Sequence, residues 1–224
     1  MKTLRIIALS FAASALMLVS SNALEFRIGA SAGFAQIEAD GSETLKTTSV
    51  VTTHSEAAVA VIPSLFAEVS LWRGFGVGID SISGSADLAN GKRNRVDVGT
   101  HSDAVVTTTN TADAEVDGIR TSYLVKTFQN GLIVKYGNSE ADIITKETLA
   151  TGTTYGNKSV DGTHYGIGYE RLNEDNGLFL RTVYEHTDFD EVKLTGAADA
   201  DGVSNIIKAN VDVSMLKISV GKRF

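Results

Sequence analysis

The chain has no cysteine and a single proline, Pro63, among its 224 residues. Without thiols there is no disulfide framework, no thiolate metal site and no cysteine nucleophile. Basic residues are the minority, 20 against 27 acidic ones for a net charge of −7, which argues against nucleic acid as a main partner. Long apolar runs are also missing. Beyond residue 23 the longest is Ala57–Ile62, far short of the roughly 20 residues a spanning helix needs. An apolar share of 43% is nonetheless too high for a disordered chain. The length fits one domain, or two small ones.

What is present begins with an address. Lys2 and Arg5 give a positive start, and Ile6 to Val19 is an apolar stretch broken only by Ser10 and Ser14. Ser21-Asn22-Ala23 then supplies small residues for cleavage. This is the layout of a secretory signal peptide over 1–23; the apolar stretch is short for a membrane anchor. Removing Lys2 and Arg5 with it leaves 18 basic and 27 acidic residues over 24–224, a net charge of −9.

From residue 24 onward the apolar pattern has period two. In 24–35 one face carries Phe26, Ile28, Ala30, Ala32 and Phe34, and the other Glu25, Arg27, Gly29, Ser31 and Gly33. A 180° repeat is the strand signature. Eight such segments are expected, at about 24–38, 57–72, 74–88, 115–128, 131–146, 158–172, 177–194 and 207–224. Their connections alternate in length. Trp72-Arg73-Gly74, Gln129-Asn130-Gly131 and Asn173 to Gly177 are tight turns, two of them carrying the Asn-Gly hairpin signal. The polar stretches 39–56, 89–114, 147–157 and 195–206 are long, and Val105 to Thr109 within them favours strand pairs above a membrane. In an antiparallel meander all short turns fall at one end.

The polar faces are rich in small residues: Gly29, Gly33, Gly76, Gly78, Gly166, Gly168 and Gly221, with Ser31, Ser64, Ser70 and Ser219. A solvent-exposed face has no use for glycine, whereas the lumen of a narrow barrel does. The apolar faces therefore point outward, to lipid. Phe26, Trp72, Phe75 and Phe224 lie near the short-turn ends, and Phe34, Tyr136, Tyr165 and Tyr184 near the long-loop ends, as two interfacial belts. The alternative, a secreted soluble eight-stranded barrel, reverses the sense of the alternation. Pro63 falls nine residues above Trp72, where regular pairing is expected to loosen.

At the C-terminus Leu216, Ile218, Val220 and Phe224 share one face. This resembles the closing strand of bacterial outer-membrane barrels, whose terminal Phe is associated with recognition by the barrel-assembly machinery; Lys222 stands where that pattern usually has an apolar residue. As a whole, 24–224 resembles the small eight-stranded outer-membrane proteins of the OmpA transmembrane-domain and OmpX type. The resemblance implies an all-β, eight-stranded antiparallel up-and-down transmembrane barrel with short periplasmic turns and long extracellular loops. It also implies residence as a monomer in the outer membrane of a Gram-negative bacterium, among outer-membrane lipid and lipopolysaccharide. OmpA proteins carry a further periplasmic domain after the barrel; no peptidoglycan-binding role is expected to carry over.

Within the expected lumen, Arg27 lies at the height of Glu68, Glu170 of Arg181, and Glu185 of Lys217, with Asp80, Arg120, Lys126 and Lys135 adding charge around the third to fifth strands. Buried charges need partners. The network reads either as a plug that fixes register, or as the gate of a narrow polar passage for small solutes. For a lipid-directed enzyme, a hydroxyl nucleophile needs a base within reach. None of His54, His101, His164 and His186 has a serine two residues away on its own strand face. Thr52, His54 and Glu56 share that spacing but are placed in a loop. No catalytic residue is assigned, and an enzyme is not expected. Asp199 to Gly202 only faintly resembles the start of a calcium loop, so no metal or other cofactor is expected. Lys92, Arg93 and Arg95 form a basic cluster suited to phosphates of lipopolysaccharide. The expected role is structural or surface-interacting, in membrane integrity or adhesion through an unknown surface ligand.

Overall fold

A computed structural model describes residues 24–45, 50–87, 93–101, 104–148, 155–196 and 206–224; the expected leader lies outside them. The strands are β1 (Glu25–Leu45), β2 (Val50–Trp72), β3 (Phe75–Ile82), β4 (Ser85–Asp87), β5 (Arg93–His101), β6 (Ala104–Thr127), β7 (Leu132–Thr148), β8 (Lys158–Leu172), β9 (Leu178–Phe189), β10 (Val192–Thr195) and β11 (Ile206–Arg223). The pairing runs β1-β2-β3-β6-β7-β8-β9-β11, all antiparallel, and β1 pairs with β11 to close the wall. The barrel is eight strands around, because β3, β4 and β5 follow one another along the same edge of β6 and β10 continues β9 along β11.

The tight turns are where the Gly signals placed them. Arg73 and Gly74 both take positive φ, 46° and 76°. At the Asn-Gly turns only the glycines do so, Gly131 at 88° and Gly177 at 72°. Pro63 is the residue just past the last β2–β3 pair, Ser64↔Ile82. It still lies opposite Ala32 of β1. The missing N–H therefore coincides with the height at which β2 parts from β3.

The long polar connections are shorter than the sequence pattern implied. β1 and β2 pair as far as Leu45↔Val50, and β5 and β6 as far as His101↔Ala104. Much of 39–56 and 89–114 is thus strand, raised above the rest of the wall as hairpins.

Up to the height of Phe34 the wall is apolar outside and polar inside. On β1, Phe26, Ile28 and Phe34 are about half exposed, while Arg27 and Ser31 are buried. One residue further the sense inverts. Ala35 and Ile37 are buried, and Gln36, Glu38 and Asp40 are exposed. Above this level Ile37, Ile62, Ile82, Val116, Ile119, Ile143, Phe189, Val211, Val213 and Met215 form one apolar core inside the barrel. The protein is a lipid-facing barrel below and a water-facing one above. The exposed aromatics mark the two edges of the lower part: Phe26, Trp72, Phe75, Phe128 and Phe224 at the turn end, and Phe34, Tyr136, Tyr165 and Tyr184 at the other. Phe26 to Phe34 spans nine residues counting both ends, at the lower end of the roughly 9–11 that a tilted transmembrane strand takes.

Candidate functional site

The lumen of the lower barrel is filled from residues that the sequence pattern pointed inward. Glycines make the room. A Cβ on Gly78 would come within 2.5 Å of the Tyr123 ring, and one on Gly29 within 2.5 Å of Phe66. Gly221 likewise leaves space for Phe179. Small residues thus face large inward side chains on neighbouring strands.

Between those rings sit two layers of charge. In the lower layer Arg181 of β9 crosses the lumen to Glu68 of β2, donating from Nη1 and Nη2 at 2.6 and 2.8 Å. It also donates to Glu170 of β8 from Nη2 at 2.7 Å and Nε at 3.1 Å. Phe66 and Phe179 lie 5.1 and 5.2 Å from its guanidinium carbon. Arg27 approaches Glu170 at 3.6 Å and donates to Thr127 at 3.2 Å. Tyr123 donates to Glu68 at 2.9 Å. In the upper layer Lys217 of β11 reaches Asp80 of β3 at 2.5 Å and Glu185 of β9 at 3.2 Å, while Lys135 of β7 reaches Glu185 at 2.9 Å. Each layer holds two cations and two carboxylates, so each is neutral. Only such mutual pairing makes buried charge tolerable. Ser31–Ser219 and Thr121–Ser139 bonds, at 2.8 and 2.7 Å, join inward hydroxyls of neighbouring strands.

Eight of the ten expected lumen charges are in these layers: Arg27, Glu68, Asp80, Lys135, Glu170, Arg181, Glu185 and Lys217. The expected Glu170–Arg181 and Glu185–Lys217 neighbours are in contact. Arg27 is the register partner of Glu68, as its height implied, but its ion pairs are with the half-exposed Glu25 at 3.4 Å and with Glu170 in the lumen. Arg120 and Lys126 are corrections, since both lie on the outer face. On β6 Thr121, Tyr123 and Val125 point inward. Below a register shift between Asp117 and Arg120, with Gly118 at φ 61°, the inward face carries Ile119, Tyr123 and Val125, so on this strand the more apolar face is the inner one. Lys126 instead hydrogen-bonds the Arg73 carbonyl and lies 4.1 Å from the Phe75 ring centre, at the short-turn belt. Tyr123, which inherits the inward position, was missed for the same reason.

Immediately above the upper layer, His164 lies 3.0 Å from Thr187. A cavity of about 10 Å³ separates His164 and Glu185 from Ile82, Val213 and Met215, barely the space of one water. Above it the apolar core begins. Leu216, Ile218, Val220 and Phe224 all lie on the lipid face, half exposed or more, and Lys222 rests 5.3 Å from the Phe224 ring.

The described histidines find partners both along a strand and across strands. His54 and Glu56 are 2.5 Å apart in β2, within a strand and not a loop; the side chain of Thr52 lies outside the described residues. His186 lies 3.0 Å from Ser214 across two strands. The side chains of His101, Arg93 and Arg95, and all of Lys92 and of 199–202, also lie outside the described residues. Among the described residues no three His, Asp or Glu side chains gather as a metal site.

No family model matches the chain, and no curated protein matches it. Solved structures do. The outer membrane protein OprG from Pseudomonas aeruginosa matches with a TM-score of 0.55 at 15% identity, over 89% of this chain and 95% of that one. Weaker likenesses include Ail, the attachment invasion locus protein of Yersinia pestis, in complex with the heparin analogue sucrose octasulfate (TM-score 0.38, 14% identity, 89% and 99% covered). Another is the outer membrane protease OmpT from Escherichia coli (TM-score 0.43, 6% identity, 92% and 98% covered). At these identities the likeness speaks for the fold. The chain is a closed eight-stranded antiparallel barrel of the outer-membrane kind, and its neighbours support an outer-membrane location.

Proposed function

We propose that the protein is an integral outer-membrane barrel with a sealed lumen. Its role is then structural or surface-interacting, in membrane integrity or adhesion, exercised through the hairpins raised above the lipid. One observation carries the reading: two neutral ion-pair layers and an apolar core are stacked along the same axis. A solute would have to break Arg181 from two carboxylates and then pass Ile37, Val213 and Met215. A permanently hydrated passage has no such core. On this reading its surroundings are outer-membrane lipid and lipopolysaccharide, and Leu216, Ile218, Val220 and Phe224 serve the barrel-assembly machinery during biogenesis as it inserts as a monomer.

Planar-bilayer conductance of residues 24–224, refolded in detergent, tests it. Folding is confirmed by the mobility difference between unheated and boiled samples. The expected result is silence. Reproducible channel steps that shift in Glu185→Gln or Lys217→Met would overturn it in favour of a gated passage.

A further inference from the structure

The upper rim carries a second cluster, on the outside of the wall. His186 of β9 and Ser214 of β11 are direct register partners, and His186 Nδ1 lies 3.0 Å from Ser214 Oγ. Asp212, two residues before Ser214 and so on the same face, has a carboxylate oxygen 4.0 Å from His186 Nε2. Tyr184, two residues before His186, donates its phenolic proton to Ser214 Oγ at 3.2 Å. With Oγ accepting from Tyr184, its own proton is free for the Nδ1 lone pair, and Nε2–H then faces Asp212. A hydroxyl, an imidazole and a carboxylate stand in sequence, with a phenol beside the hydroxyl.

Their height is as informative as their identity. Directly below are Leu216, Tyr184 and Phe34, about half exposed on the lipid face. Directly above are Asp188, the register partner of Asp212, and Glu38 on the next strand. The cluster thus lies where the apolar band gives way to acidic, water-facing rows. The ester linkages of a lipid sit at this boundary between acyl chains and headgroups. The side chains are open to it: His186 and Asp212 are 38% and 42% exposed.

We propose that Ser214, His186 and Asp212 form an external esterase site that hydrolyses carboxylic esters of outer-leaflet lipids. Ser214 Oγ attacks the ester carbonyl while its proton passes to His186 Nδ1. Asp212 is a positioning residue, its carboxylate 4.0 Å from Nε2, where it faces Nε2–H and balances the imidazolium. The Tyr184 phenol is the nearest donor to the developing oxyanion. The tetrahedral adduct collapses, the C–O bond to the leaving alcohol breaks, and that alcohol takes the proton from His186. Water, deprotonated by His186, then attacks the acyl-serine, releasing the carboxylic acid and restoring Ser214. The sum is one ester and one water to one acid and one alcohol. The site lies on the outer wall and is independent of whether the lumen is sealed.

The test uses the full barrel refolded in detergent, with folding of every variant checked by heat-dependent gel mobility. A fluorophosphonate probe is expected to label wild type at Ser214 and to leave Ser214→Ala unlabelled. Hydrolysis of a long-chain p-nitrophenyl ester and of phosphatidylethanolamine, both in mixed micelles, is expected to fall about 100-fold or more in Ser214→Ala and His186→Asn, as loss of a nucleophile or general base demands. Asp212→Asn loses activity, and Asp212→Glu recovers most of it, a rescue that a merely structural carboxylate would not show. A soluble short-chain ester is expected to react more slowly than the micellar one. The proposal is overturned by a folded wild type that is neither labelled nor active, by activity that survives Ser214→Ala, or by equal or faster turnover of the soluble ester.

Discussion

The lower and upper halves of this barrel share strands but answer to different solvents. Below Phe34 the wall presents Phe26, Ile28, Leu180 and Val220 to lipid and keeps its charge inside. Above it, the same strands turn Glu38 and Asp40 outward and close over Ile37, Val211 and Val213. The period stays at two throughout; only its sense reverses. In the lower half the interior is held by complementary charge, because lipid already satisfies the apolar face and hydrophobic burial adds little inward. In the upper half water surrounds the wall, so apolar burial is available as a driving force, and the interior needs no ions. The inversion therefore marks where the protein leaves the membrane, without any helix or loop to announce it.

Substitutions in each half probe that contrast, from the largest expected effect to the smallest. Arg181→Met leaves Glu68 without a cation and Glu170 with Arg27 alone, and should cost about 3–5 kcal/mol, read from urea unfolding of the refolded barrel. Adding Glu68→Gln, which leaves Arg27 and Glu170 as a neutral pair, should restore most of it. If the single variant is as stable as wild type, charge pairing is not what holds the lower half. Ile37→Ala should cost about 2–5 kcal/mol through the cavity it leaves. The loss should be local, with amide exchange rising in the β1–β2 hairpin and not around Arg181; uniform exchange would merge the two halves into one unit. Ala30→Arg, outward and midway between Phe26 and Phe34, should cost about 2–4 kcal/mol, whereas Glu38→Arg eight residues on should cost little. Equal costs would move the membrane boundary.

The smallest effect concerns Asp212. Partial burial and then the neighbouring Asp188 hold its carboxyl above the ordinary value of 3.8. A carboxyl raised in the folded state stabilises the fold while protonated. That contribution is present below the ordinary value and lost as pH rises through the raised one. Asp212→Asn should thus relieve repulsion at neutral pH and flatten the stability profile across that interval, by less than about 1 kcal/mol at so exposed a site. A destabilised Asp212→Asn would show that the acidic row attracts more than it repels.

Much of the lower half was legible in the sequence. Outward aromatics at two heights, glycines on the inward face, and Gly at each tight turn all follow from local chemistry. The extent of the strands was not. Above Phe34 an exposed polar face and a small apolar inner face read together as a polar loop, so the apolar core and the paired stretch of 39–56 went unseen, while Val105 to Thr109 did signal strand pairing above the membrane. The expected lumen charges on the other strands do face the lumen. Those on β6 were not, because its inward face carries Ile119, Tyr123 and Val125 and its outward face Arg120 and Lys126, the reverse of the polarity that marks the lumen on the other strands. The His186–Ser214 contact was hidden for a third reason. The two residues are 28 apart in sequence and meet only once the β9–β11 register is set, which no spacing rule along one strand can find.

The closure of the wall has a consequence in time. β1 pairs with β11 from Arg27↔Arg223 to Thr44↔Ile206, and Phe26 and Phe224 exchange backbone hydrogen bonds at 3.2 and 2.8 Å. The first strand therefore has no second neighbour until the last one arrives. An intermediate holding β1 to β9 alone would present an open row of N–H and C=O groups, each costing several kcal/mol in hydrocarbon. Insertion and closure are thereby coupled into one late event, and the most distant segments of the chain set its pace. A nascent barrel must wait, shielded from lipid, until both of its ends can be joined.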